Sequence, residues 1–453
     1  MKIVIVGAGE VGFHIASRLA GENKDVVVID RDAEALRRVS DNLDVQVLQG
    51  SGASPVALEE AGIRRAEILL AVTDSDETNL VACLATNLLS PSTKKLIRLR
   101  DAAYDGFHET FREQAPHIDT IINPEIEVVR TIERMMQVPG AVDVGEFADG
   151  RIRFVGIHLA PDAPITGARL LELPERFGPQ RPLIAAVMRG EEIIVPRGSD
   201  RLLAGDLVYF IGEAGKLGGM LPFFGIKPQP VRRVLVVGGG RIGQRLAARL
   251  EELNIHCKII EKNADRCARL AERLNKTVIL HGDGSDRALL VEENIGEMDY
   301  VVTLTSDEET NILVSLLSMR MGAARCITKI SRFSYFPIMT TIGIEQVVSP
   351  RLSAIDSILR HIRRGKVLSA ISLKEQAEVL EAVALETSDI VSKPLKNIHF
   401  PKGTLVAGIV RDTQIIIPSG ASVIEPGDRI IIFAQREAVP KIEKLLAVKL
   451  EFF

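Results

Sequence analysis

The 453-residue chain has no tryptophan and only four tyrosines. That removes the usual aromatic platforms on which single-stranded nucleic acid stacks. Its net charge of −4 lacks the basic excess of a general nucleic-acid binder, so no nucleic-acid partner is expected. The four cysteines, Cys83, Cys257, Cys267 and Cys326, are scattered and form no CxxC pair. Neither a disulfide framework nor a zinc site follows from them, and reduced thiols in the cytosol are expected. No apolar run approaches the ~18–20 residues needed to span a bilayer. Met1 leads straight into an apolar run, which predicts no signal peptide. Membrane association, on this reading, comes through a protein partner.

What is present is ordinary globular material. Hydrophobic residues make up 46% of the chain and charged residues 26%, a balance that supports packed cores. The length exceeds one core, so about two to four domains are expected.

The first thirty residues organise the rest. Ile3-Val4-Ile5-Val6 is followed by Gly7-Ala8-Gly9-Glu10-Val11-Gly12 and a segment of helical period to Leu19. A second apolar run, Val26 to Ile29, ends on Asp30. Strand, glycine turn, helix, strand and carboxylate form the dinucleotide-binding fingerprint in its required context. Gly7 allows the tight turn, Gly9 lets a pyrophosphate approach the backbone, and Gly12 lets the helix close on the sheet. The helix N-terminus offers N–H groups and a partial positive charge to phosphates. Asp30 is suited to accept from ribose hydroxyls and to repel a 2′-phosphate. That predicts NAD(H) or an adenine nucleotide over NADP(H).

The fingerprint recurs 231 positions on, as Gly238-Gly239-Gly240-Arg241-Ile242-Gly243 after Val234-Leu235-Val236-Val237. Glu261 then stands where the repeat places Asp30. Gly50-Ser51-Gly52 matches Gly282-Asp283-Gly284, and Thr73 to Asn79 matches Thr305 to Asn311. A second kind of segment also repeats: Leu183 to Val187, Ile193 to Pro196 and Gly205 to Ile211 match Leu405 to Ile409, Ile415 to Pro418 and Gly427 to Phe433. Internal repetition of this kind outranks local readings. The chain reads A–B–A–B.

In the first A module, apolar runs at 2–6, 26–29, 45–48, 68–72, 95–99 and 119–122 alternate with segments of helical period. Such alternation predicts right-handed βαβ units in a parallel sheet covered on both faces. The expected fold is therefore α/β. Two doubly wound, Rossmann-like parallel-sheet domains, residues 1–135 and 232–363, are each followed by a small α+β domain, residues 141–225 and 367–453. Residues 222–231 read as a stiff, proline-rich connection.

The carboxyl ends of the strands face the ligand crevice in such folds. They carry Gly7, Asp30, Gln49, Gly50, Thr73, Asp74, Arg98 and Arg100. Thr73 to Asp76 also reads as a helix cap. Arg98 and Arg100 suit either a phosphate or a surface salt bridge. Beyond Pro124, the residues Ile126, Val129, Ile132 and Met136 give a helix one apolar face, which packs on its own module or on a twin.

No catalytic constellation is evident. No tyrosine is followed by lysine four residues later, and the eight histidines are isolated. The small modules have few functional polar groups. A doubly nucleotide-binding sheet without an acid or base in reach reads as a sensor, with no catalytic residue assigned. A dinucleotide-dependent oxidoreductase with duplicated domains is the competing reading.

The two fingerprints, the stretches Asp76-Glu77-Thr78-Asn79 and Glu308-Glu309-Thr310-Asn311, and the paired small modules resemble regulator-of-potassium-conductance (RCK, or KTN) domains. Their order over the whole length is similar to that of peripheral regulatory subunits of bacterial Trk potassium-uptake systems. The resemblance implies a cytoplasmic protein held at the inner membrane through its partner, a membrane-embedded Trk-type potassium channel or transporter subunit. It implies a homo-oligomer, dimer or tetramer, that forms a gating ring. It also implies NAD+ or NADH as ligand, with ATP and ADP as further ligands. The residues it assigns to the first site are Gly7, Ala8, Gly9, Glu10, Val11, Asp30, Thr73, Asp74 and Arg98. Those of the second are Gly238, Gly239, Gly240, Arg241, Ile242, Glu261, Thr305 and Lys329, with Lys329 standing where Arg98 stands. Glu10 and Arg241 differ in charge at one equivalent position. The expectation is that the second site takes ATP or ADP better and the first prefers NAD(H).

Overall fold

The computed structural model of the chain describes residues 1–22, 24–178, 181–362, 367–373 and 376–446. The expected domain bounds also take in residues 23, 179–180, 363, 374–375 and 447–453, which lie outside the described residues.

Ile3, Val4, Ile5 and Val6 are all buried. A strand apolar on both faces belongs in the middle of a parallel sheet. Strand β1 (Lys2–Val6) lies there, between β2 (Asp25–Asp30) and β4 (Ile68–Ala71). With β3 (Gln46–Gln49), β5 (Lys94–Arg98) and β6 (Thr120–Ile122), the sheet order is β3-β2-β1-β4-β5-β6. All its pairings are parallel. The order reverses beside β1, and the crevice at that switch point is where such folds bind ligand.

The first antiparallel sheet is built from β7 (Ala141–Phe147), β8 (Ile152–His158), β9 (Leu183–Arg189), β10 (Glu192–Ile194) and β11 (Leu207–Glu213), in the order β10-β9-β11-β8-β7. The parallel sheet then repeats. Strands β12 (Arg233–Val237), β13 (His256–Glu261), β14 (Val278–His281), β15 (Tyr300–Thr303), β16 (Cys326–Lys329) and β17 (Gln346–Val348) take the order β14-β13-β12-β15-β16-β17. Last come β18 (Val367–Leu373), β19 (Ala377–Val383), β20 (Thr404–Arg411), β21 (Gln414–Ile416) and β22 (Arg429–Gln435), ordered β18-β19-β22-β20-β21. Even the register shifts repeat, at Ala141/Asp143 and Val367/Ser369. The architecture is the expected one: two doubly wound parallel sheets, each followed by a small antiparallel sheet.

The two antiparallel sheets share one core. Phe147, Phe154, Tyr209 and Ile211 of the first pack with Leu373, Val379, Ile431 and Phe433 of the second. Glu381, buried, accepts from the Ala148 N–H at 3.0 Å and from Arg429 Nε at 2.7 Å. Arg429 Nη1 also reaches Asp149 at 2.5 Å. The outer faces are covered separately, the second by the helix Val439–Leu446.

The helices after Pro124 and Pro350 are exchanged. Contacts divide the described chain into two compact units, and the helix Pro350–Ile362 belongs with Met1–Val128. There it packs on the helix Glu10–Gly21 and on β6. In the other unit, the helix Pro124–Gln137 from Val129 onward serves the second parallel sheet. Glu133 takes a bidentate pair of bonds from Arg249 at 2.9 Å each, and the Met135 carbonyl accepts from the Tyr300 hydroxyl at 3.3 Å. The helix Pro350–Ile362 therefore packs on the twin module, and the helix Pro124–Gln137 bonds to it from Val129 onward.

Candidate nucleotide sites

Most helices in the parallel-sheet modules are closed at their N-termini by side chains. Asp32 caps Ala33–Asn42, Ser75 caps Asp76–Leu89, Asn263 caps Ala264–Arg273 and Asp307 caps Glu308–Arg320. The two fingerprint helices differ. Glu10–Gly21 begins at Gly9 and Arg241–Glu252 at Gly240, and neither has a side-chain cap. A helix start left without a side-chain acceptor is a ready anion site.

The glycines have the geometry that such a cradle needs. Gly7 and Gly238 turn the chain at φ +114° and +107°, values that side chains resist. A Cβ on Gly12 would lie 1.8 Å from the Gly7 carbonyl oxygen, and one on Gly243 would lie 2.0 Å from that of Gly238. A Cβ on Gly9 or Gly240 would meet nothing within 4 Å. The helix is thus clamped to the turn while the space above its start stays open. These residues fit a pyrophosphate.

Asp30 lies against the turn. Its Oδ2 accepts from the Ala8 N–H at 2.6 Å and its Oδ1 from the Asp32 N–H at 2.9 Å. A carboxylate has about four acceptor positions, so lone pairs remain for sugar hydroxyls. Glu261 repeats this with the Gly239 and Asn263 N–H groups, each at 2.8 Å, and takes a third bond from Arg266 Nη1 at 3.1 Å. Glu261 is more deeply buried than Asp30. Burial raises its pKa, but the bonds from Asn263, Gly239 and Arg266 outweigh that and hold the carboxyl below its usual range. The second sugar clamp thus carries an arginine that the first does not match, since Ala35 occupies the equivalent position.

Thr73 and Arg98 meet beside the first turn. Arg98 Nη2 donates to the Thr73 carbonyl at 2.6 Å. Burial, then the charge of Arg100, pushes the Arg98 guanidinium down to about 10, so it remains charged at neutral pH. Asp74 is exposed and contributes its carbonyl to Arg100 Nη2. Ser75 and Asp307 do the capping, as the stretch from Thr73 to Asp76 allowed. In the second module, Thr305 and Lys329 stand at the ends of β15 and β16 as their counterparts do on β4 and β5. Glu10 and Val11 open the first helix, Arg241 and Ile242 the second.

Sequence reasoning did not assign roles to four residues here. Asn79 is fully buried and bonds Thr73 and the Arg98 carbonyl, and Asn311 does the same with Thr305 and Lys329. Their recurrence in the repeat was the available signal. Arg38 donates to the Ala8 carbonyl, pairs with Glu10 and lies over the Phe13 ring. Arg351 comes from the exchanged helix, and no local pattern pointed to it.

The family comparisons agree with this architecture. The TrkA-N domain matches residues 3–124 and 234–350, and the TrkA-C domain matches residues 154–225 and 379–447. The chain is 37% identical over 459 residues to the Trk system potassium uptake protein TrkA of Azorhizobium caulinodans, covering all of both chains. It is 36% identical over 458 residues to that of Halomonas elongata, again covering all of both. Among solved structures, the GsuK channel bound to NAD matches with a TM-score of 0.59 and 17% identity, over 98% of this chain and 78% of that one. The GsuK structure bound to ADP matches with a TM-score of 0.50 and 13% identity, over 79% of this chain and 68% of that one. Among the described residues, no helix is long and apolar enough to cross a membrane. The TrkA-N and TrkA-C domains are regulatory and non-enzymatic. With two copies of each in alternation and full-length identity to curated members, the chain belongs to the family of Trk system potassium uptake proteins TrkA.

Proposed function

We propose that this chain is a nucleotide-sensing regulatory subunit that gates a membrane-embedded potassium channel or transporter of the Trk type. It acts from the cytoplasmic face as a homo-oligomeric ring. Each chain carries two nucleotide modules, residues 1–135 and 232–363, and two smaller modules, residues 141–225 and 367–453. NAD+ or NADH occupies the first cradle, held by Gly7 to Val11, Asp30, Thr73, Asp74 and Arg98. The second, held by Gly238 to Ile242, Glu261, Thr305 and Lys329, takes ADP or ATP as well.

One observation carries this reading: both fingerprint helices start without a side-chain cap beneath open space, with a carboxylate on the turn beside them. Relatives matched over the whole length are Trk system potassium uptake proteins, and GsuK, which shares the fold, has been solved bound to NAD and bound to ADP. The oxidoreductase alternative is set aside because the family is non-enzymatic. A nucleotide shifts a two-state ring only by its differential affinity for the two states. Two unlike cradles on one chain give two inputs to that equilibrium.

The test is co-purification with the membrane fraction, followed by potassium flux in vesicles that hold the recovered membrane protein and this chain. Flux that changes with NADH or ADP supports the reading. Flux indifferent to both, or steady consumption of NADH, overturns it.

A further inference from the structure

The exchanged helix Pro350–Ile362 packs on the helix Glu10–Gly21, whose start forms the first cradle. This brings Arg351 to the cradle's edge, with Nη1 3.7 Å from Glu10 Oε2. The other Glu10 oxygen lies 3.2 Å from Arg38 Nη1. One carboxylate is therefore shared by two arginines.

Arg98 approaches the same space from β5. Its Nη2 is bonded to the Thr73 carbonyl, but its Nε is buried without an acceptor. Burial, Arg100 and Arg351 all disfavour its charge, while Asp76 and Asp74 offset part of this. Asp76 Oδ2 accepts from the Arg100 and Asp101 N–H groups, and its Oδ1, buried without a hydrogen-bond partner, lies 3.9 Å from Arg100 Nε. Three arginines thus gather at a helix start that is positive in its own right. Like charges brought together this closely are favourable only when an anion completes the set. The equivalent position in the repeat is Glu125, so the helix start carries opposite charge in the two halves.

We propose that Arg351 is a phosphate-reading residue of the first cradle, supplied by the second half of the chain. Glu10 holds Arg351 in the ligand-free chain, and a nucleotide phosphate takes it over by a charge-assisted bond. The first cradle is then bipartite. The proposal rests on the nucleotide reading above. It also changes the role of Glu10, which acts as a stand-in anion rather than as a barrier to phosphate.

The test uses the full chain carrying Gly240→Asp to silence the second cradle, with NADH as the probe. Both members of the Arg351–Glu10 pair are more than a third exposed, so losing the contact leaves folding nearly untouched. Arg351→Gln is expected to weaken NADH binding about tenfold or more. Arg351→Lys is expected to keep most of the affinity. Glu10→Gln removes the same ion pair yet is expected to tighten binding, because it frees both arginines for phosphate. A purely structural pair would make Arg351→Gln and Glu10→Gln weaken binding equally, and that result overturns the proposal. So does unchanged affinity in Arg351→Gln when Gly9→Asp abolishes binding. If Gly9→Asp also leaves binding unchanged, the cradle assignment itself fails.

Discussion

Asn79 and Thr73 are bonded three times: Asn79 Oδ1 accepts from the Thr73 N–H at 2.9 Å and its hydroxyl at 2.7 Å, and Asn79 Nδ2 donates back to the Thr73 carbonyl at 3.1 Å. Nδ2 also reaches the Arg98 carbonyl at 2.9 Å, so one buried amide ties the ends of β4 and β5 together. Asn79→Leu would strip these partners and leave buried polar groups unmade, at about 1–3 kcal/mol for each. The expected loss is about 2–4 kcal/mol in the first module, read as a lower midpoint of its thermal transition, with weaker NADH binding. Asn311→Leu should do the same in the second module. An unchanged midpoint would show that the strand ends are held by something else.

The glycines of one fingerprint should separate folding from binding. Gly12→Ala puts a methyl group 1.8 Å from a backbone oxygen, so the helix must move or the module must unfold. A loss of about 3 kcal/mol or more is expected, typical of severe backbone overpacking. Gly9→Asp meets no atom within 4 Å and sits at φ −63°, so the chain should fold normally while a carboxylate occupies the phosphate position. Circular dichroism and NADH titration of the two variants check this. Normal NADH binding by Gly9→Asp would remove the cradle from the account.

The second cradle should be acid-sensitive through Glu261. Its folded pKa lies below its ordinary value of 4.5. A depressed carboxyl pKa contributes stability above the unfolded value, and that contribution is lost as pH falls through the folded value. The difference in thermal midpoint between the parent chain and Glu261→Gln should therefore be full near pH 6. It should shrink below about pH 4.5, as Glu261 takes up its proton. A pH-independent difference would contradict the ionised bonds to Gly239, Asn263 and Arg266.

Thiol reactivity should report on the same place. Burial pushes the Cys83, Cys257 and Cys326 thiols up to about 12, and all three are inaccessible. Cys267 is half-buried and donates to the Glu261 carbonyl at 3.4 Å. Maleimide labelling of the folded chain should modify Cys267 alone, slowly, and all four cysteines after denaturation. NADH or ADP should slow the native reaction. Labelling of Cys83 in the folded chain would contradict the packing of the first module.

The parallel sheets were legible because their signal is local and repeated. Each apolar run became a strand, and the copies at 231 positions' spacing took the same order. The fingerprint turn was legible because only glycine satisfies the turn at Gly7 and the contact at Gly12. Partner choice was not legible. The apolar face at Val129, Ile132 and Met136 suits either module, and only packing decided that the helices exchange. That exchange is why Arg351 went unnoticed. Nor did the alternating strands of the small modules reveal that Phe154 and Phe433 would share one core. The clamp differed in detail: Asp30 already bonds the turn through the Ala8 N–H before any sugar arrives.

Binding stoichiometry by isothermal titration calorimetry tests the central claim most directly. The parent chain, Gly9→Asp, Gly240→Asp and the double variant would be titrated with NADH and with ADP. With NADH the account predicts about two equivalents for the parent, one for each single variant and none for the double variant; with ADP it predicts about one equivalent for the parent and for Gly9→Asp, lost in Gly240→Asp, all without loss of fold. A double variant that binds either nucleotide as tightly as the parent would contradict it.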